Sequence, residues 1–234
     1  MWTLLIILIL IAVLAFYTLR DYRQRLILRR WRKLLALDEH GTIYQQLYAD
    51  VDGFTLSRRA RAKQDSIEYV YGEIDFESFI ALLSLCKPNP STIFYDLGSG
   101  TGKAVLACAM VFTIEKSCGI EFFPSLDRCA KQQKQRLQLI PGYLTKAACI
   151  EFHQGDIRET FFSEATLIFI NATTFFGETW LAISQQVEQI KPGSLVITTS
   201  KALQSKKFTI TRLTQVKMSW GIVEAYIQER LSDA

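Results

Sequence analysis

The clearest chemical signal in this sequence is a run of ten residues from Phe94 to Lys103. It reads Phe-Tyr-Asp-Leu-Gly-Ser-Gly-Thr-Gly-Lys, so an apolar strand ends in a turn with glycine at alternate positions, and a helix is predicted to follow. Glycines let the backbone pass close to a ligand, and the first turn of a helix offers free N–H groups and a positive dipole end. The pattern predicts a nucleotide-type cofactor site.

Spacing separates the three cofactors that use such loops. A phosphate-binding P-loop needs a glycine five residues before its Gly-Lys pair and a Ser or Thr after it, whereas Leu97 and Ala104 stand there. A dinucleotide site needs G-x-G-x-x-G, whereas this loop is G-x-G-x-G. Asp96 is badly placed beside a pyrophosphate but well placed for the ammonium of an amino-acid-bearing ligand. We therefore expect S-adenosylmethionine, bound by the loop residues Asp96, Gly98, Ser99, Gly100, Gly102 and Lys103.

Polar residues also follow the next predicted strands, and a ligand of an open α/β sheet binds beyond the carboxyl ends of its strands. Glu121 closes the second strand, where its carboxylate can accept both ribose hydroxyls; the alternative is a solvated acid. Asp156, in the segment Gln-Gly-Asp-Ile that ends at Ile157, can accept from the adenine amino group; the alternative is a turn-forming Asp.

Asn171 closes the fourth strand, at the place nearest the transferred methyl group in such a fold. Phe175 and Phe176 follow it. This aromatic pair is predicted to wall a substrate channel, although core packing explains one of the two phenylalanines equally well.

Alternating apolar runs and helical patterns must position these residues. Strands are predicted at about 92–97, 117–121, 149–153, 165–171 and 194–199, with helices at about 102–112, 124–138 and 177–190. Two further strand-like segments, at about 207–214 and 218–230, have no helix between them. The prediction is an α/β fold with a doubly wound, mostly parallel sheet and a terminal antiparallel hairpin.

The N-terminal region predicts a different kind of element. Trp2 to Leu19 is uncharged and apolar, long enough as a helix to cross a bilayer, and nothing around it is typical of a cleaved signal peptide. Seven basic residues follow within 20–33, which by the positive-inside rule places the downstream domain in the cytoplasm. We expect a transmembrane anchor at 1–20, a basic juxtamembrane and helical linker at 21–68 with a break at Gly41, and a methyltransferase domain at 69–234.

Charge and cysteine content exclude other classes of function. Residues 1–33 hold seven of the 27 basic and one of the 23 acidic residues, which leaves 20 basic against 22 acidic residues in the remainder. The basic excess therefore lies beside the predicted anchor, and no nucleic-acid partner is expected. Five unclustered cysteines and two histidines support neither a metal site nor a disulfide framework. We expect a monomer.

From about Tyr69 to Arg230 the chain resembles the disruptor-of-telomeric-silencing family of lysine methyltransferases, which have a Rossmann-like class I fold rather than a SET domain. The resemblance lies in Val-Tyr-Gly-Glu at 70–73, the glycine loop, Gly-Ile-Glu at 119–121, the segment from Asn171, Thr-Ser-Lys at 199–201 and Ser-Trp at 219–220. It implies that Tyr71, Gly72 and Glu73 close over the methionine end of the cofactor. It also implies that Trp220 lines a lysine channel with Phe175 and Phe176.

Three functions follow as hypotheses. The first is a membrane-tethered methyltransferase that transfers a methyl group from S-adenosylmethionine to a protein lysine, with Asn171 aligning the acceptor. The second is a small-molecule or lipid methyltransferase that acts at the membrane. The third is an inactive cofactor-binding scaffold, which the complete set of Asp96, Glu121 and Asp156 argues against.

Overall fold

The computed structural model describes residues 2–62 and 66–232, except for the side chains at 3–9, 11, 12 and 67. The chain divides into two compact units, one that ends at Glu39 and one that begins at His40. The helices are α1 (Trp2–Leu34), α2 (Leu37–Leu47), α3 (Gly53–Ala60), α4 (Phe76–Leu85), α5 (Lys103–Val111), α6 (Pro124–Gln138), α7 (Leu144–Ala148) and α8 (Gly177–Gln186). The strands are β1 (Ile93–Leu97), β2 (Lys116–Glu121), β3 (Ile150–Gln154), β4 (Leu167–Ile170), β5 (Leu195–Thr199), β6 (Phe208–Met218) and β7 (Gly221–Arg230).

Helix α1 corrects the prediction for the N-terminal region. The apolar run and the basic residues after it form one continuous helix of 33 residues. Much of the apolar run, at 3–9, 11 and 12, lies outside the described side chains. Within the part of the chain that the structure describes, no helix has both the length and the apolar character needed to cross a membrane. The prediction of a single-pass membrane protein with a cytoplasmic domain is therefore wrong.

The second unit contains one mixed sheet in the order β3-β2-β1-β4-β5-β7-β6. The first five strands run parallel, and β7 pairs antiparallel with both β5 and β6. Parallel strands of short apolar residues need cover on both faces, and the helices between them supply it. The predicted doubly wound sheet with a terminal antiparallel hairpin is confirmed.

Strand register brings the predicted site residues to one edge of the sheet. Leu97, the last residue of β1, is opposite Ile120 of β2 and Ile170 of β4. The residues that come directly after these positions therefore meet at the carboxyl ends of three neighbouring strands. They are Gly98, Glu121 and Asn171.

Two buried layers fix the sheet between its helices. On one face, Trp180 and Ile183 of α8 pack with Ile168 and Val196 in the main apolar cluster. On the other face, Phe79 of α4 makes edge contacts with rings of the sheet, at centroid distances of 6.1 Å from Phe94 and 5.2 Å from Phe169. Close-packed interiors such as these hold the strand ends rigidly.

Some local predictions differ from the structure. The break in the N-terminal helical region falls at Ala36, which has a left-handed φ of 46°, whereas Gly41 lies inside α2. Strand β6 extends to Met218, four residues beyond the predicted end, because the turn to β7 is tight. Helices α4 and α7 were not predicted.

Candidate active site

A cleft lies beyond the carboxyl ends of β1, β2 and β4, and the segment before α4 lies across it. It encloses about 1160 Å³, including the part open to solvent. The structure brings 13 of the 16 predicted site residues together around it: Tyr71, Gly72, Glu73, Asp96, Gly98, Ser99, Gly100, Lys103, Glu121, Asp156, Ile157, Asn171 and Phe175. Gly102, Phe176 and Trp220 are outside this lining.

The glycine loop adopts backbone angles that side chains disfavour. Gly98, Gly100 and Gly102 have φ values of 90°, 54° and 82°, in the left-handed region that glycine reaches without strain. A Cβ at Gly100 would lie 2.7 Å from the Tyr71 ring, so this glycine permits the close approach of Tyr71. A Cβ at Gly102 would lie 2.6 Å from the Phe152 ring. Gly102 therefore permits close packing at the N-cap of α5, away from the cleft surface.

Two buried carboxyl groups face the cleft. Asp96 is 4% exposed and Glu121 is 7% exposed. Burial raises the pKa of Asp96 to about 8, with the nearby Glu121 adding to the effect. Burial likewise raises the pKa of Glu121 to about 7, against the opposing effect of the N–H groups that it accepts from. A buried carboxylate is costly without a cation or donors to compensate it.

The two acids differ in their partners. Glu121 accepts from the backbone N–H groups of Gly100 and Phe123, each at 2.8 Å, so it fixes the turn of the loop. Within residues 2–62 and 66–232, the structure provides no hydrogen bond to the Asp96 carboxylate. The Ser99 hydroxyl is also buried without a partner among these residues. Unsatisfied polar groups that line a cleft fit a ligand with a cationic, hydrogen-bonding end.

The far end of the cleft, beyond β2 and β3, is aromatic and charged. Tyr69 stacks on Phe122 at a centroid distance of 5.7 Å and meets Phe123 edge-on at 5.0 Å. Asp156 accepts from the backbone N–H of Arg158 at 2.8 Å and from its guanidinium at 3.0 Å, and the Arg158 side chain lowers the pKa of Asp156. The predicted role of Asp156 toward an adenine amino group stays a prediction.

At the opposite end, Asn171 is held by hydroxyl groups. Its Oδ1 accepts from Thr199 at 2.9 Å and from Thr173 at 3.0 Å, so that oxygen is occupied by the fold. Lys201 donates to the carbonyl oxygen of Phe175 at 2.5 Å. Its Nζ also lies 3.9 Å from the centroid of the Phe176 ring.

Phe176 and Trp220 lie outside the cleft. Phe176 is 52% exposed and Trp220 is 45% exposed. The Trp220 ring packs on Gly72, where an added Cβ would be 1.9 Å from it. Trp220 therefore supports the segment that crosses the cleft, and its prediction as a channel residue remains untested.

Sequence reasoning missed several lining residues. They are Glu68, Phe122, Phe123, Arg158, Thr174, Thr179 and Met218. Phe122 and Phe123 directly follow Glu121, and Arg158 is two residues beyond Asp156, so their proximity to predicted residues is a signal that could have found them. Glu68 and Met218 are brought in by long-range packing, for which the sequence carries no local pattern.

Comparison with solved structures identifies the class of fold. An RNA methyltransferase from Salinibacter ruber, solved with S-adenosyl-L-homocysteine, superposes with a TM-score of 0.55 and 22% identity over 68% of this chain and 93% of the other. The magnesium protoporphyrin IX methyltransferase from Synechocystis superposes with a TM-score of 0.53 and 15% identity, over 82% of this chain and 97% of the other. The fold is that of the Rossmann-like class I methyltransferases.

Sequence comparison identifies the family within that class. The profile of "Histone methylation protein DOT1" matches residues 57–225, well over half of the chain. The chain therefore belongs to the DOT1 family, and the predicted resemblance is confirmed.

Individual relatives give the degree of similarity. The H3 lysine-79 specific histone-lysine N-methyltransferase of Caenorhabditis elegans is 30% identical over 62% of this chain and 16% of its own length. A protein-lysine N-methyltransferase from Saccharolobus islandicus is 26% identical over 50% of this chain and 66% of its own length. The chain thus spans less than a fifth of the C. elegans protein.

Proposed function

We propose that this chain is an S-adenosylmethionine-dependent methyltransferase whose acceptor is a lysine side chain of a protein. The observation that carries the cofactor assignment is the buried Asp96 carboxylate, which faces the cleft beside the glycine loop with no partner among the described residues. Membership of the DOT1 family and the protein-lysine methyltransferases among the relatives support the acceptor class.

The donor set fits S-adenosylmethionine from end to end. Asp96 offers a carboxylate to its ammonium, and the N-terminus of α5 offers positive charge to its carboxylate. Glu121 retains acceptor capacity for ribose hydroxyls, since each carboxylate oxygen has two lone pairs and one backbone donor. The Tyr69 and Phe122 rings give an apolar surface for adenine.

When bound, the cofactor supplies a methyl group on a positively charged sulfur, so the acceptor amine must be neutral and aligned. This chain's residues would supply both conditions. The Phe175 ring, which lines the cleft with Asn171, would give an apolar contact that favours loss of the ammonium proton from a lysine. The Asn171 side chain, fixed by Thr173 and Thr199, would hold the end of β4 so that the backbone carbonyl oxygen of Asn171 accepts from the acceptor amine and orients it.

A labelling experiment tests the proposal. The purified chain is incubated with methyl-labelled S-adenosylmethionine in four parallel reactions. Each reaction contains one acceptor preparation: histone octamers, a mixed protein extract, RNA or a small-molecule extract. Label should enter protein, and it should disappear when the acceptor lysines have first been blocked by acetylation. A Glu121→Ala variant, in which cofactor binding should be weakened, is the matched control and should incorporate less label. Label confined to RNA or small molecules, or label unaffected by lysine blocking, would contradict a protein-lysine acceptor.

A further inference from the structure

The segment Val70–Ile74, here called the strap, crosses the glycine loop and is attached on one side to the terminal hairpin. The backbone N–H of Ser219 donates to the Glu73 carbonyl at 2.7 Å, and the Ser219 hydroxyl accepts from the Glu73 N–H at 3.1 Å. Ile74 forms an isolated antiparallel bridge with Met218. These contacts anchor one edge of the strap to a rigid part of the sheet.

The other attachment of the strap is a charged one to the cofactor side of the cleft. Lys103, the first residue of α5, donates from Nζ to the Glu73 carboxylate at 2.5 Å. The Tyr71 hydroxyl donates to the other Glu73 oxygen at 2.8 Å and lies 2.9 Å from the Thr101 hydroxyl. Lys103 also lies 5.1 Å from the centroid of the Tyr48 ring. One lysine thus joins the strap to the helix that follows the glycine loop.

The surroundings make the loss of either partner of this ion pair costly. The Lys103 and Glu73 side chains are only 21% and 17% exposed, and removal of one partner of a desolvated pair leaves the other charge uncompensated. The cleft beneath the strap already contains the acids Asp96 and Glu121. Without Lys103, the Glu73 carboxylate would stay largely buried on the strap without its cation.

We propose that Lys103 is a positioning residue whose ion pair with Glu73 latches the strap over the glycine loop and so sets how long the amino-acid end of the cofactor stays bound. The inference rests on the proposed cofactor. The inference goes beyond the proposed function because it assigns the closing of the strap to one ion pair. Lys103 and Glu73 then act as a unit, and the loss of either one loosens the same segment.

The ligand-free protein provides the first test. The Glu73 N–H donates to the Ser219 hydroxyl and the Asp75 N–H donates to the Lys217 carbonyl, so amide hydrogen exchange at these positions reports strap opening. Lys103→Met and Glu73→Gln should each speed exchange in the strap at least fivefold. Lys116→Met, which breaks the Lys116–Glu164 pair at the opposite edge of the sheet, is the matched control and should leave strap exchange unchanged. Unaltered strap exchange in both latch variants would overturn the proposal.

Ligand binding provides the second test, with S-adenosylhomocysteine and 5′-methylthioadenosine, which lacks the amino-acid end, as probes. Lys103→Met should raise the dissociation rate of S-adenosylhomocysteine about tenfold and change binding of methylthioadenosine less than twofold. Lys103→Arg should restore most of the difference. Glu73→Gln should match Lys103→Met, and the double variant should be no worse than either single variant, because paired residues are non-additive.

The remaining outcomes are equally decisive. Two results would show that Lys103 acts on the ligand directly and would contradict the proposed latch. One is an additive loss of S-adenosylhomocysteine retention in the double variant, and the other is tighter binding of that ligand in Glu73→Gln. Failure of the wild-type chain to bind S-adenosylhomocysteine would instead remove the proposed cofactor, and the exchange measurements without ligand would still decide whether the latch exists.

Discussion

The two ends of the cleft are built in different ways. At the cofactor end, Asp96 and Glu121 are almost fully buried. Asp96 lies in a contiguous strand-turn-helix unit, and Glu121 ends the next strand. At the acceptor end, Asn171 and Phe176 come from one segment and Trp220 from the terminal hairpin, and two of these side chains are about half exposed. The contrast indicates a cofactor site made rigid by local sequence and an acceptor site assembled by tertiary contacts.

The largest effect is expected when Asn171, which is proposed to orient the acceptor amine, is replaced. Asn171→Ala should lower turnover by about a hundredfold, since misplacement of reacting groups by about 1 Å has that cost. It should also lower the melting temperature, because the buried Thr199 hydroxyl loses its acceptor. Single-turnover kinetics beside a thermal melt separate the two effects.

A matched variant isolates the catalytic part of that loss. Thr199→Val removes the same hydrogen bond while Asn171 remains in place, so it should lower the melting temperature with a turnover loss below tenfold. Equal turnover losses in the two variants would assign Asn171 to the fold alone.

The next effect belongs to the cofactor half. Glu121→Ala should weaken S-adenosylmethionine binding by about 1.5–3 kcal/mol, roughly 10- to 150-fold, the scale of hydrogen bonds to a charged group. Calorimetry measures the change. Glu151→Ala, which removes an exposed acid from β3, is the control and should bind as the wild type does. Equal affinity in Glu121→Ala and wild type would contradict the assignment of Glu121 as the acceptor for the ribose hydroxyls.

The two halves also differed in how far the sequence could predict them. The glycine loop, the strand ends and their acids follow from local patterns, because each is marked by the types of residues adjacent to it in the chain. The strap contacts were not predictable, since the Lys103–Glu73 pair and the stacking of Trp220 on Gly72 join segments 30 and 148 residues apart. Gly102 shows the same limit: its place in the motif was evident, but its contact with Phe152 is a property of packing.

The acidic character of the cofactor half predicts a pH dependence. Burial raises the folded-state pKa of Asp96 to about 8 and of Glu121 to about 7, above the ordinary values of 3.8 and 4.5. The folded state therefore binds more protons than the unfolded state between about pH 4 and 8, and stability falls as pH rises through this window.

A melting series checks this dependence. Without ligand, the melting temperature should fall by roughly 5 °C between pH 6 and pH 8.5. At this chain length, a loss of about 1 kcal/mol in the free energy of unfolding lowers the melting temperature by about 2–4 °C. Asp96→Asn should flatten the decline because it removes the group with the higher pKa. S-adenosylmethionine should oppose the decline by placing a cation beside the ionised acids. A melting temperature that rises over this range would contradict the burial of both groups.

The smallest effect is expected at the exposed acceptor end. Trp220→Ala should raise the KM for a protein acceptor about threefold to tenfold and leave cofactor affinity within twofold, if the ring contacts the acceptor. The structure supplies a competing role, because Trp220 packs on Gly72 of the strap, and loss of that support would weaken cofactor retention as well.

Phe176→Ala distinguishes the two roles. Phe176 is covered on one side by Lys201, and its removal leaves the contact between Trp220 and Gly72 in place. A shared rise in KM with unchanged cofactor binding would place both rings at the acceptor mouth. A loss of cofactor binding in Trp220→Ala alone would assign Trp220 to the strap, and the acceptor end would then depend on Asn171 and the two phenylalanines.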